Sequence, residues 1–222
     1  MSLDRIVIVG SSGHAKVVID IVRKQGVHEL VGLVDRFRPV GESTFGFDVL
    51  GTEADLPRLV RSHGIRGVLI AIGDNWSRER VADQIIAANP GLFLARAIHP
   101  SANLALEASI GDGTVVMAGA SIGPAATIGR GCIVNSHASI DHDAVMHDFA
   151  SLGPGAVTGG GCRIGQQSAI GIGSVLLQGR SIGAHCVVGA GSLVTRDIGD
   201  AVVAYGRPAK IVRTRQASDP YL

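Results

Sequence analysis

The sequence predicts two units in series: an α/β, Rossmann-like parallel-sheet domain over residues 1–97 and a parallel β-helix of hexapeptide repeats over residues 98–222. Two observations carry this. From Ile98 an aliphatic residue returns at every sixth position, through Leu104, Ile110, Val116, Ile122 and onward to Ile182, Val188 and Val194, with Thr158 as the break. Before Ile98 that period is absent, and short apolar runs alternate with helical stretches. A helix repeats at 3.6 residues and a strand at 2, so a strict six-residue period belongs to neither alone; it is the period of a coil with repeated corners.

In the first unit, Arg5 to Val9 reads as a buried strand, followed by Gly10-Ser11-Ser12-Gly13 and a helix from His14 to Gln25. Leu30 to Val34 is a second strand, ending at Asp35. Val68 to Ile72 is a third, followed by Gly73-Asp74-Asn75 and a helix from about Ser77 to Ala88. A βαβ order implies a parallel sheet whose ligand site lies beyond the carboxyl ends of its strands. Gly10, Asp35 and Gly73 all fall there. The Gly10–Gly13 turn can present N–H groups and a helix N-terminus to a phosphate, although a tight turn without a ligand uses the same residues. Asp35 can accept from a ribose or a base, or simply cap its strand.

In the second unit, a small residue follows each aliphatic by four positions, as in Ala102, Ala108, Ala120, Cys132 and Ala138. Small and aliphatic residues two apart on a strand share a side, so both registers face the interior. Gly111, Gly123, Gly129, Gly165, Gly171, Gly183 and Gly189 then supply the positive φ or tight backbone of the corners. Three hexads per coil make a triangular prism roughly 25 to 30 Å tall. Arg180 departs from the small register without an explanation in the sequence.

Bulk properties narrow the function classes. A net charge of +1, with one Trp, two Tyr and five Phe, argues against the basic, aromatic surface of a nucleic-acid binder. No apolar run approaches a membrane span, and the start lacks the n-region and cleavage site of a leader, so the expected address is the cytoplasm. Cys132, Cys162 and Cys186 all occupy the small interior register, as buried thiols rather than metal ligands or disulfide partners.

The densest ionisable cluster runs from Asn135 to Asp148. His142 and Asp143 occupy a corner and point outward; an imidazole oriented by a carboxylate suits a general base, though a solvated His-Asp corner has the same sequence. His137, His142 and His147 are five apart, a spacing similar to that of β-helix carbonic anhydrases. The third zinc ligand expected two coils upstream is missing, because Ser101 and Leu106 stand there.

GSSGHAK at Gly10 to Lys16, AIGDN at Ala71 to Asn75, NSHASIDHD at Asn135 to Asp143 and GRPAK at Gly206 to Lys210, with the hexapeptide column, resemble the sialic-acid acetyltransferase-like group of β-helix acyltransferases. Within that group the chain is most similar to bacterial nucleotide-sugar 4-amino N-acetyltransferases. The resemblance implies a left-handed coil, a homotrimer with active sites between subunits, and acetyl-CoA as co-substrate without a metal. It implies a nucleotide-linked amino sugar as acceptor, GDP-perosamine before a UDP-4-amino sugar, held by Ser11, Ser12, Gly13, His14, Asp35, Arg36, Gly73 and Asn75. His142 is the implied base, Asp143 tunes it, and Asn135 positions substrate or base. Gly159, Gly160 and Gly161 lie about one coil beyond that base, where a backbone N–H, Gly160 before the others, can meet the oxyanion, although the run can also simply accommodate the irregular hexad at Thr158. Acetyl-CoA is expected at Ser151, Ile172, Gly173, Gly191, Arg207 and Lys210; Ser151 stands where related enzymes place a histidine. The rival readings are a sugar or sialic acid O-acetyltransferase, a zinc hydratase and a non-catalytic nucleotide-binding scaffold.

Overall fold

Ile6, Val7, Ile8 and Val9 are all buried, and a strand covered on both faces takes the middle of a parallel sheet. In the structure, a computed structural model that describes residues 3–220, this strand is β1 (Asp4–Val9). It pairs in parallel with β2 (His28–Val34) and β5 (Gly67–Ile70). The sheet extends to β4 (Phe47–Gly51) and the antiparallel β3 (Ser43–Thr44) at one edge, and to β6 (Phe93–Leu94) at the other. Helix α1 (Gly13–Gln25) buries Ala15, Val18, Ile19 and Val22, one stripe at helical spacing, and ends at Gly26 with φ +67°. After α2 (Leu56–His63), helix α3 (Asn75–Ala88) begins earlier than the sequence suggests, because Asp74 caps it: its carboxylate accepts from Ser77 N at 2.7 Å.

From Ala97 the chain winds into two-residue strands, β7 (Ala97–Ile98) to β23 (Leu193–Val194), arranged on three faces. Each strand pairs in parallel with the one a coil further on, as Val116 with Val134 and Val134 with Leu152. The aliphatic and small registers fill the interior, including Ile122, Ala126, Ile140 and Ala144. All three cysteines are buried there, with Sγ donating to the carbonyls of His147, Leu177 and Gly199 at 3.2, 3.1 and 2.9 Å. Burial pushes the Cys132 thiol up to about 12. Strands β24 (Val202–Gly206) and β25 (Ala209–Thr214) close the last coil as a hairpin. Arg215 then folds back, its guanidinium donating to the His185 carbonyl at 2.8 Å. Tyr221 and Leu222 of the tail, like Met1 and Ser2, lie outside the described residues.

The corners differ from expectation in one respect. Left-handed φ recurs at every sixth residue from Gly113 to Gly191, two positions after the glycines expected to supply it, and non-glycine residues including His137, Asp143 and Gln167 adopt it at six of the corners. The earlier glycines serve close approach instead: a Cβ on Gly123 would lie 2.7 Å from His142 N on the next coil. The irregular Arg180 also gains a reason. Beyond it the coil loses register, Ile182 meeting Ile198 through a lone bridge, so its side chain turns outward to Asp197 at 3.4 Å.

The two units share a core. Val115, Met117 and Ile133, on the outer face of the β-helix, pack with Ile19, Val22 and Ile8 of the sheet domain. At the centre of the junction lies Arg78, 1% exposed. Its guanidinium donates to the carbonyls of Ile72 and Gly73 (3.0 and 2.9 Å), to Asn75 Oδ1 (2.7 Å), and to the β-helix carbonyls of Gly131 and Phe149 (2.7 and 2.9 Å). Such a group is stable in the interior only when its donors are matched, and here five acceptors meet them. Arg78→Met keeps much of the bulk but strips those acceptors of their donor. We expect it to lower the unfolding free energy by about 3 kcal/mol or more in urea, read by the fluorescence of the neighbouring Trp76. A loss below about 1 kcal/mol would show that the junction does not depend on it.

Candidate functional site

The sheet domain carries a cleft of about 370 Å³ at the carboxyl ends of β1, β2 and β5. Ser11, Ser12, Asp35, Arg36 and Gly73 line it, as the strand-end argument expects, and Gly13 lines the adjoining recess with Lys16 and Arg38. Asp35 is already engaged. Its Oδ2 accepts from Ser11 Oγ at 2.5 Å and its Oδ1 from Phe37 N at 2.7 Å. Partial burial opposes ionisation, but these hydrogen bonds outweigh it and hold the carboxyl below its ordinary pKa. Arg36 is drawn to Glu53 (2.9 Å), and Arg38 donates to the Ser11 carbonyl (2.9 Å). Helix α3 supplies a wall that the motifs missed: Ser77, Arg80, Val81 and Gln84, spaced i, i+3, i+4 and i+7. That spacing was readable in the sequence as one helix face.

His14 and Asn75 do not line this cleft. Burial, and then the charge of Arg78, push the His14 imidazole down to about 4, so the ring is neutral at pH 7, with Nε2 buried and unpartnered among the described residues. Asn75 is 1% exposed. Its Nδ2 donates to Ser151 Oγ (3.1 Å) and to the carbonyls of Gln167 and Ser168 (3.1 and 3.2 Å). The residues assigned from sequence to two different ligands, Asn75 and Ser151, thus bind each other across the domain junction. A buried amide facing three acceptors has no donor left for a ligand.

The prism offers two corner ridges. On one, His142 O accepts from Gly161 N (2.8 Å), and Gly160 O accepts from Gly179 N (2.9 Å). His142 is half exposed, 51% by side chain, and its Nδ1 lies 2.7 Å from Asp143 Oδ2. The left-handed φ of Asp143, +57°, is what sets that carboxylate beside the ring. The hydrogen bond to Asp143, and then the charge of Asp141, raise the His142 pKa above its ordinary value against a small opposing desolvation. Nε2 faces the backbone of the next coil: a Cβ on Gly160 would collide with it, so only glycine leaves room for the ring. Gly160 N–H has no protein acceptor among the described residues.

The second ridge carries Asn135, whose Nδ2 donates to Leu152 O at 2.8 Å, and above it Ile172, Gly173 and Gly191. Gly173 N donates to Pro154 O (2.9 Å) and Gly191 N to Ile172 O (2.7 Å), which fixes them coil upon coil. Ile172 is exposed, and the exposed Arg207 and Lys210 sit on the β24–β25 hairpin, which packs Tyr205 over Gly189 at the top of this ridge. Asn135 and His142 therefore stand on different corners, and no hydrogen bond joins them within the chain. Among the described residues no group of three His, Cys, Asp or Glu side chains converges as a metal site, and no helix is long and apolar enough to cross a membrane.

Comparison with known proteins agrees with both units. Residues 5–85 match the PglD N-terminal domain, and residues 107–142 match the bacterial transferase hexapeptide repeats. A curated relative, UDP-N-acetylbacillosamine N-acetyltransferase of Bacillus subtilis (strain 168), is 33% identical over 118 residues, so the match spans about half of that protein (52%) and 52% of this chain. Among solved structures, GDP-perosamine N-acetyltransferase from Caulobacter crescentus, a histidine-to-alanine variant in complex with CoA and GDP-perosamine, is 36% identical with a TM-score of 0.89, covering 96% of this chain and 98% of that one. The acetyltransferase domain of PglB from Neisseria gonorrhoeae FA1090, in complex with acetyl coenzyme A, is 34% identical with a TM-score of 0.88, covering 95% of this chain and 100% of that one. With that likeness running the length of both units, the chain belongs to the nucleotide-amino-sugar N-acetyltransferases that join a PglD-type N-terminal domain to a left-handed hexapeptide β-helix.

Proposed function

We propose that this protein transfers the acetyl group of acetyl-CoA to the 4-amino group of a nucleotide-linked sugar, GDP-perosamine before a UDP-4-amino sugar, and does so as a homotrimer. The observation that carries the reading is the His142 corner: an oriented, half-exposed imidazole whose Nε2 faces the Gly160 backbone, and an N–H there without a protein acceptor among the described residues. The cleft of the sheet domain, with Ser11, Ser12 and Gly13 at the start of α1, holds the nucleotide. Lys16 in the adjoining recess adds the positive charge that phosphates require, while Arg38 beside it is paired with Glu42. Asp35 acts through Ser11 and the Phe37 amide, shaping the cleft floor.

The reaction is direct transfer. The neutral amine attacks the thioester carbonyl carbon; the C–N bond forms, and the carbonyl oxygen takes negative charge opposite Gly160 N–H. His142 Nε2 accepts the proton that the nitrogen sheds, with Asp143 stabilising the imidazolium formed. The C–S bond then breaks, and CoA leaves as a thiolate that can take the proton from His142. Buried thiols with raised pKa values do not supply a covalent relay. Because Asn135 and Ile172 occupy a different ridge from His142, the amine, base and acetyl-CoA meet in one groove where the second ridge of a neighbouring subunit faces the first.

His142→Ala should lower kcat on the order of 10²- to 10⁴-fold with GDP- or UDP-linked 4-amino sugars, and unchanged turnover would sink the base assignment. The acetylated product should survive mild alkali; an alkali-labile product would instead mark an ester and an O-acetyltransferase. Asp143→Asn removes the charged acceptor that raises the His142 pKa. Since the neutral ring is the base, activity rises as pH passes that pKa, so the acid limb of the kcat/KM profile should move to lower pH and the plateau should fall; an unaltered limb contradicts the coupling. Gly160→Ala should displace the imidazole and cost about 10²-fold in kcat, while nucleotide binding measured by calorimetry stays as in the native protein.

A further inference from the structure

We propose that Thr158, the one break in the aliphatic series, is a positioning residue that sets His142 and Gly160 against each other by replacing one rung of the β-helix ladder with its side chain. This rests on the acetyltransferase reading above. On the face that carries His142 the rung after each strand runs from backbone to backbone. Ala105 N donates to Ile122 O (2.9 Å), Gly123 N to Ile140 O (2.8 Å), Gly159 N to Leu176 O (2.9 Å) and Leu177 N to Val194 O (3.1 Å). The rung between them is different: Asp141 N donates to Thr158 Oγ1 at 3.2 Å. Ser139 still pairs with Val157, but the pairing of Ile140 with Thr158 is lost.

The altered rung sits at the chemistry. Asp141 precedes His142 and its Oδ1 accepts from His142 N at 2.7 Å; Gly160 follows Thr158 by two residues and touches the ring. A hydroxyl standing in for a carbonyl displaces the two backbones relative to a regular rung just before the corner where the imidazole must fit against Gly160. Thr158 is 2% exposed in a stack of aliphatic residues, where a hydroxyl is costly unless it is hydrogen-bonded. Valine has the same shape without the acceptor, so it would let Asp141 N return to the residue 158 carbonyl, as on every other coil of this face, and carry the His142 corner with it.

The test compares Thr158→Val and Thr158→Ser with the wild-type protein. Thr158→Val should lower kcat about tenfold, with KM for acetyl-CoA and for the sugar nucleotide within about twofold and no loss of melting temperature, and Thr158→Ser should recover most of the turnover. The NMR titration of the His142 ring should also move in Thr158→Val and stay at its wild-type position in Thr158→Ser. Where Thr158→Val does not fold, Thr158→Ala removes the same hydroxyl. Wild-type turnover and an unmoved titration in the variants lacking the hydroxyl would overturn the positioning role, as would Thr158→Ser behaving like Thr158→Val. No turnover in the wild type would overturn the acetyltransferase reading instead, leaving the His142 titration to decide the role of Thr158.

Discussion

Coil closure is the constraint on which the rest of this molecule depends. Each strand of the prism must hand its N–H groups to carbonyls one coil further on, as Met117 does to Val134 and Asn135 to Leu152. At several corners, as at Gly111, Gly123 and Gly165, the next coil comes so close that a Cβ would meet its backbone, and left-handed φ recurs two residues into each corner from Gly113 to Gly191. Where glycine takes the left-handed position the corner is only a bend. Where Asp143 takes it, the same geometry aims a carboxylate at the neighbouring imidazole. The His142 corner thus shares the torsions of the other corners and differs from them in its side chains and in one rung, where Thr158 Oγ1 stands in for a backbone carbonyl.

Much of this was legible in the sequence because burial inside a prism leaves few residue choices. An interior shared by aliphatic and small side chains writes its period into the chain, so the period alone places Ile122, Ala126 and Cys132 inside. The outward His142 and Asp143 followed from the same register, and Ser11, Asp35 and Gly73 from the rule that parallel strands gather ligands at their carboxyl ends. What the register could not show was which backbone torsion each corner takes. Gly123 looked like the flexible residue and proved to be the crowded one, because crowding comes from the coil above and leaves no local trace.

The junction was illegible for a related reason. Arg78 belongs to none of the motifs, and Asn75 beside a strand end reads as a ligand contact. Both are buried because the β-helix is laid against that helix face, and the residues they meet, Phe149, Ser151 and Gln167, lie far along the chain. Arg78 joins the carbonyls of Ile72 and Gly73, beside the cleft of the sheet domain, to those of Gly131 and Phe149 on the prism. A planar group with donors on both sides suits this position better than a lysine, because it fixes the orientation of both backbones as well as their distance. The cleft and the ridges are therefore held in one frame.

That frame explains why the proposed site needs more than one chain. His142 stands half in water on its ridge, and water both competes for an amine's proton and weakens the field of Asp143 and Gly160 N–H. The exposed Ile172 and the cationic Arg207 and Lys210 occupy another ridge, which the triangular cross-section turns away from His142. No rearrangement within a rigid prism brings them together, since every coil is tied to the next. In the proposed homotrimer, apposed ridges from two copies do so without moving a single ladder bond, and on that proposal they cover His142, dry the groove and bring the thioester to it. The rigidity that makes the fold readable is the reason the proposed chemistry is placed between subunits and not within one chain.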